Sequence, residues 1–135
     1  MMNNNDLFGD VIYAYTRKQA IADGELIDVS EVAREAGFRL DVAVTSALWS
    51  LYVSWDDADS DKQCYQDESG RLWDAIWMLR MAINACKDKS ELQYRFYVIP
   101  RDGRSKRPRL ITLKALIHGG DDGEPVITIM LPDED

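Results

Sequence analysis

The chain has 135 residues, 46% hydrophobic and 30% charged, with a net charge of −8. That length bounds it to one domain able to bury a full core, and that composition excludes a disordered chain. No apolar run approaches the roughly 20 residues that cross a bilayer, no secretion leader opens the chain, and the negative charge opposes indiscriminate binding to nucleic acid or anionic membrane, so a soluble cytoplasmic protein is expected.

Residues 1–9 read as a polar, flexible leader, residues 10–131 as a single domain and residues 132–135 as a solvated acidic tail. Asp10 to Tyr15 has extended character, and Thr16-Arg17-Lys18-Gln19 carries a capping box for a short helix that ends at Gly24. Glu25 to Val29 is a short extended piece, and Asp28 or Ser30 can cap a helix over Glu31 to Ala36 that Gly37 closes. Phe38 to Val44 reads as an extended linker. Thr45 then caps a longer helix with Leu48, Leu51, Tyr52 and Trp55 on its core stripe, which Trp49 and Val53 widen.

Asp56-Asp57-Ala58-Asp59-Ser60-Asp61 should stop that helix, because carboxylates are disfavoured at a C-terminus, and Asp56 to Ser69 is expected to be a mobile loop. The longest apolar run follows, predicting a central helix from about Gly70 to Lys87. Its core face holds Leu72, Ala75, Ile76, Met78, Leu79, Ala82, Ile83, Ala85 and Cys86, and a half-polar stripe holds Trp73, Trp77, Arg80 and Asn84. After Ser90 the period changes to two, giving three strands over Leu92 to Ile99, Leu110 to Ile117 and Val126 to Leu131 with hairpin-length loops between them. The expected fold is α+β, with N-terminal helices, one of them long and central, packed on a C-terminal three-stranded antiparallel meander. Cys64 and Cys86 match no zinc or redox spacing and are expected as free thiols, Cys86 serving as a small hydrophobe on the helix.

Three stretches resemble a family. They are Val11 to Gly24 running on through Asp28-Val29-Ser30 to Ala33-Arg34-Glu35-Ala36-Gly37-Phe38, then Asp67 to Asp74 with Trp77-Met78-Leu79-Arg80, and the terminal Gly120 to Asp135. The chain is similar there to uncharacterised, short, acidic proteins encoded on bacterial plasmids and integrated mobile elements. The resemblance implies a bacterial cytoplasmic setting and carriage by mobile DNA, and it transfers no catalytic residue.

Enzymatic motifs are wanting. His118 lies beside Gly119, Gly120, Asp121, Asp122 and Glu124, but Gly-Gly-Asp-Asp-Gly reads first as a hairpin turn, and no second loop supplies further ligands. No metal, no cofactor and no catalytic residue is assigned, and the chain is read as a non-enzyme. Arg101, Arg104, Lys106, Arg107 and Arg109 form a basic hairpin loop, with Tyr94, Phe96 and Tyr97 on the adjoining strand. It is a solvated tip that pairs with the chain's own acidic loop, or it contacts phosphates and stacks bases. The overall charge favours the former.

Asp56, Asp57, Asp59, Asp61, Asp67 and Glu68 form the converse patch. A solvated loop is the simpler reading. A protein-binding surface is the functional one, for carboxylates can stand in for the phosphates of DNA, which carries one charge per roughly 1.7 Å of axis. Trp73, Trp77 and Arg80 are the third candidate. Burial against the chain's own sheet is expected of so central a helix, whereas exposure would make them a partner's landing site, since Trp and Arg are enriched at interface hot spots. The function read from the sequence is therefore a non-enzymatic protein-interaction or anti-defence accessory protein of a mobile genetic element, acting through acidic and aromatic surface on a host or element-encoded protein. The alternative is a nucleic-acid-binding accessory protein using loop 101–109. An exposed strand could also pair two copies of the chain across a two-fold axis.

Overall fold

A computed structural model of the protein describes residues 15–86 and 88–135. The extended piece expected from Asp10 and the leader before it lie outside the described residues, apart from Tyr15. The first helix, α1 (Arg17–Asp23), starts where the capping box places it: Thr16 Oγ1 accepts from the Gln19 N–H and Gln19 Oε1 accepts from the Thr16 N–H. Gly24 ends it at φ 82°, in the left-handed region that glycine enters without strain. Strand β1 (Leu26–Asp28) and helix α2 (Ser30–Glu35) follow, and Asp28 Oδ1 accepts from both the N–H and the hydroxyl of Ser30.

The expected linker after Phe38 is instead a strand, β2 (Asp41–Thr45), and this corrects the fold. Its parallel partner is β5 (Pro125–Met130), with Val42 opposite Ile127 and Val44 opposite Ile129, and its antiparallel partner is β1. With β3 (Glu91–Val98) and β4 (Arg109–Gly119), the sheet has, among the described residues, five strands in the order β1-β2-β5-β4-β3. It is a mixed sheet rather than a three-stranded meander. Val42, Ala43 and Val44 are all fully buried, so β2 is covered on both faces and shows a short continuous apolar run instead of an alternation.

Thr45 caps α3 (Ser46–Leu48), which continues as a π-helical turn over Trp49–Val53 closed by a 2.8 Å bond from the Ser54 N–H to the Trp49 carbonyl. Val53 is fully buried, as the widened stripe expects, whereas the wider turn carries Leu51, expected on that stripe, outward into solvent. The expected mobile loop also holds a helix, α4 (Asp57–Lys62), capped by reciprocal bonds between Asp56 and Asp59. Carboxylates read as crowding a C-terminus sit at the N-terminus of a new helix, where the partial charge favours them.

The central helix, α5 (Glu68–Ala85), is capped by Asp67 and lies across the sheet. Leu72, Ala75, Ile76 and Leu79 pack on Tyr94, Phe96, Leu113, Ile127 and Ile129, and the Tyr94 hydroxyl donates to the Ala75 carbonyl at 2.9 Å. Ala85 and Cys86, expected on this core face, are exposed. Cys64 is partly buried, and both cysteines are free thiols. The C-terminal residues are tied down as well, since Glu134 Oε1 accepts from the Thr45 hydroxyl and the Leu131 N–H.

Arg71, in the first turns of α5, is buried, with 5% exposure. Its Nε donates to the Val53 carbonyl, and its Nη1 donates to Gln66 Oε1 and the Ile99 carbonyl, each at 2.7 Å. Arg71→Met should remove these bonds while leaving buried carbonyls without donors, lowering unfolding free energy in urea by about 3 kcal/mol, and Arg71→Lys should recover less than half because it lacks the planar fork.

Candidate protein-interaction surface

Trp73 and Trp77 lie one turn apart on α5, on the side turned away from the core. Their rings stack with centroids 5.8 Å apart and planes 12° from parallel. Trp73 is 36% exposed, Trp77 42% and Met81, a further turn along, 49%. The expectation that the chain's own sheet covers these indoles is thus corrected: the helices pack on one face of the sheet at this point, and α5 keeps an apolar ridge in solvent.

Arg80 does not belong to the ridge. Its guanidinium turns toward the end of α2, where Nη1 lies 3.4 Å from the Ala36 carbonyl. It occupies the space over Gly37, where an added Cβ would lie 2.4 Å from Nη1, and Gly37 itself has φ 99°. The cation–π pair of the structure involves different residues, Arg71 lying 4.5 Å from the Trp55 ring centroid.

The ridge separates two clefts. One, of about 350 Å³, runs between α5 and the outer strand, lined by Trp77 and Met78 on the helix, Arg95, Phe96 and Tyr97 on β3 and Leu110 on β4. Tyr97 and Leu110 are opposite one another across the β3–β4 ladder and are both exposed, which extends the apolar surface beyond the helix. The other, of about 700 Å³, lies at the start of α5 between Tyr65, Trp73 and Val32 of α2. Asp74 lines both, and burial raises its carboxyl above the usual range against the opposing pull of Arg71.

The acidic and basic patches lie together. Arg101 pairs with Asp59 at 2.7 Å and Asp56 at 3.2 Å, and its Nη1 donates to Ser54 Oγ. Buried Gln63 clamps the basic loop: its amide donates to the carbonyls of Pro100 and Ser105, and its Oε1 accepts from the Gly103 N–H. Asp102 accepts from the backbone and hydroxyl of Ser105 and from the Arg104 N–H, and these bonds hold its carboxyl well below the usual range. Among the described residues, Asp57, Asp61 and Glu68 and the cations of Arg104, Lys106, Arg107 and Arg109 enter no ion pair. All seven are exposed.

His118 lies near the end of β4, opposite Val126 of β5. Its Nε2 lies 2.8 Å from Thr128 Oγ1, which also accepts from Arg17, and its Nδ1 lies 3.0 Å from the Gly119 carbonyl. Asp121 caps α1 by accepting from the N–H groups of Arg17 and Lys18, and Glu124 accepts from the Asp122 N–H. The carboxylates around His118 therefore build a turn and a helix cap. Among the described residues no cluster of His, Cys, Asp or Glu is arranged to hold a metal ion.

Trp73 and Trp77 are candidates from the sequence alone, whereas Met81, Leu110, Tyr65 and Gln63 join the surface only in the structure. Met81 continues the i, i+4 spacing of the two indoles and was legible on that ground. Leu110 and Tyr65 are brought to the clefts by tertiary packing, which no local pattern reports. Among the described residues no helix is long and apolar enough to cross a membrane. A family model described as a family of unknown function matches residues 2–135. No curated protein and no solved structure matches the chain.

Because Gln63 holds the hairpin loop against α4, Gln63→Ala should free it. Trypsin should then cut after Arg104 and Lys106 at least about 10-fold faster than in the parent chain, as followed by mass spectrometry at a temperature where both remain folded.

Proposed function

We propose, for a chain that belongs to the family of unknown function DUF6573, that it is a non-enzymatic protein-interaction protein whose docking surface is the Trp73–Trp77–Met81 ridge with the groove beside it. The observation that carries this reading is the exposure of stacked indoles on a helix whose opposite side is core. Exposed large apolar side chains occur singly on any surface, but a contiguous ridge beside an apolar groove is costly to leave in water and is a feature of interfaces. Asp57, Asp61 and Glu68 add an acidic margin from α4 and the start of α5. With the resemblance in sequence as support, our reading is of a bacterial cytoplasmic accessory or anti-defence factor of a plasmid or integrated element, with a host or element-encoded protein as its partner.

A photocrosslinking residue at Met81 should give discrete adducts with a protein, and Trp77→Ala should weaken that binding by about 30-fold, the effect of losing one hot-spot aromatic. Circular dichroism and Tm should stay near those of the parent chain because the indole is part-exposed. An adduct pattern indifferent to Trp77→Ala would refute the reading.

A second reading rests on the basic loop. Arg104, Lys106, Arg107 and Arg109 project from a hairpin whose base Gln63 and Arg101 hold in place, beside exposed Tyr97. If the loop grips a nucleic-acid backbone, the logarithm of affinity for single-stranded DNA should fall with the logarithm of salt at a slope of about −2 to −3, and Arg104→Glu with Arg107→Glu should abolish binding. Salt-independent or undetectable binding in the parent chain would remove this reading.

A further inference from the structure

We infer that β3 is the seam of a homodimer, in which two copies of the chain join their sheets edge to edge. This deepens the interaction reading, on which it rests for the ridge, by naming the partner as a second copy of the chain. Among the described residues, strand β3 is the last strand of the sheet and runs for eight residues, whereas β1 at the other edge has three. Among the described residues nothing pairs with its outer side.

One backbone bond tells which groups face that edge. The Ile117 N–H donates to the Ser90 carbonyl at 2.7 Å, and Ser90 stands opposite Ile117 when the register of Glu91 with Leu116 is continued by one residue. In an antiparallel ladder, residues whose N–H and C=O bond to the neighbour alternate with residues whose groups point away. Ser90, Leu92, Tyr94 and Phe96 therefore direct theirs to β4. Glu91, Gln93, Arg95 and Tyr97 direct theirs to the open edge, with no proline among them and no bulge in the register.

Charge selects a second copy as the occupant. When two β3 strands pair antiparallel about a two-fold axis through Gln93, the outward-directed residues face one another and can exchange backbone bonds. Glu91 then lies opposite the partner's Arg95, and Arg95 opposite the partner's Glu91. A register centred on Arg95 would instead set two guanidinium groups together, and one centred on Tyr94 would set Arg95 opposite the partner's Gln93. The strand's charges answer each other only about Gln93. The axis is then normal to the sheet and both α5 helices lie on the same side of it. Trp77, which lines the groove with Phe96 and Tyr97 at this edge, is carried toward the same ridge of the second copy.

Sedimentation velocity from about 1 to about 100 μM should show a monomer–dimer equilibrium. Arg95→Glu should raise the dissociation constant by at least about 30-fold, and adding Glu91→Arg to it should restore the constant to within about 3-fold of the parent value. Within one chain these residues are four apart along a strand, roughly 13 Å, too far for the rescue to arise intramolecularly. A parent chain that remains monomeric throughout, or a double variant no better than Arg95→Glu, overturns the seam. If the chain is monomeric while Trp77→Ala still depletes the Met81 adducts, the homodimer fails and the interaction reading stands. If the charge swap rescues dimers but the adducts ignore Trp77, the seam stands and the ridge does not.

Discussion

The guanidinium of Arg71 is the point through which four segments are joined. It lies in the first turns of α5, bonds the last carbonyl of the π-helical turn, the Gln66 side chain and the carbonyl just after β3, and stacks on Trp55. A cation so placed gives up hydration worth several kcal/mol, and burial accordingly lowers its pKa. What offsets the loss is geometry: three charge-assisted bonds from a planar fork and one aromatic face. Nη2 makes no hydrogen bond among the described residues, so the offset is incomplete. The group persists because the carbonyls of Val53 and Ile99, at the ends of their elements where no ladder satisfies them, need a donor that reaches several at once.

From this anchor the rest of that end of the molecule follows. Trp55 donates to Ser60, whose hydroxyl also meets the backbone of Gln66, and Gln63 on the same short stretch grips the β3–β4 loop. Segments that carry most of the local charge are thus built into one rigid corner, where Arg101 neutralises Asp56 and Asp59. This neutralisation weakens any function that depends on a long row of free carboxylates. It leaves Asp57, Asp61 and Glu68, and Arg104, Lys106, Arg107 and Arg109, as smaller exposed groups without an ion pair among the described residues.

Local chemistry was largely legible in the sequence. The capping box at Thr16 and Gln19, the left-handed Gly24, the Thr45 cap, the long helix and the three C-terminal strands are each written in a few adjacent residues. What was not legible depends on distant ones. Val42 to Val44 reads as a linker until β5 is known to lie beside it, and the parallel pairing joins residues more than eighty positions apart. The row of aspartates reads equally as a helix stop or a helix start, and only the reciprocal bonds of Asp56 and Asp59 decide. The stripe of Trp73, Trp77 and Arg80 was correctly seen as half-polar, but its guanidinium belongs to α2, and the arginine that stacks on an indole is Arg71.

The exposure of Trp73 and Trp77 has a topological cause. Placing β2 between β1 and β5 lengthens the sheet at one end, where α2 packs on β2 and meets α5, while the π-helical turn packs on α5. The ridge of α5 is left uncovered beside β3, the strand whose own edge is open. A fold with only a three-stranded meander would have had fewer strands to cover, and its helices could have closed around the central one. The insertion of one short, buried strand thus both completes the core and leaves two unsatisfied features side by side: an apolar ridge that water solvates poorly and a row of backbone groups that water solvates well but a strand would satisfy equally. Their adjacency is why a single partner can meet both.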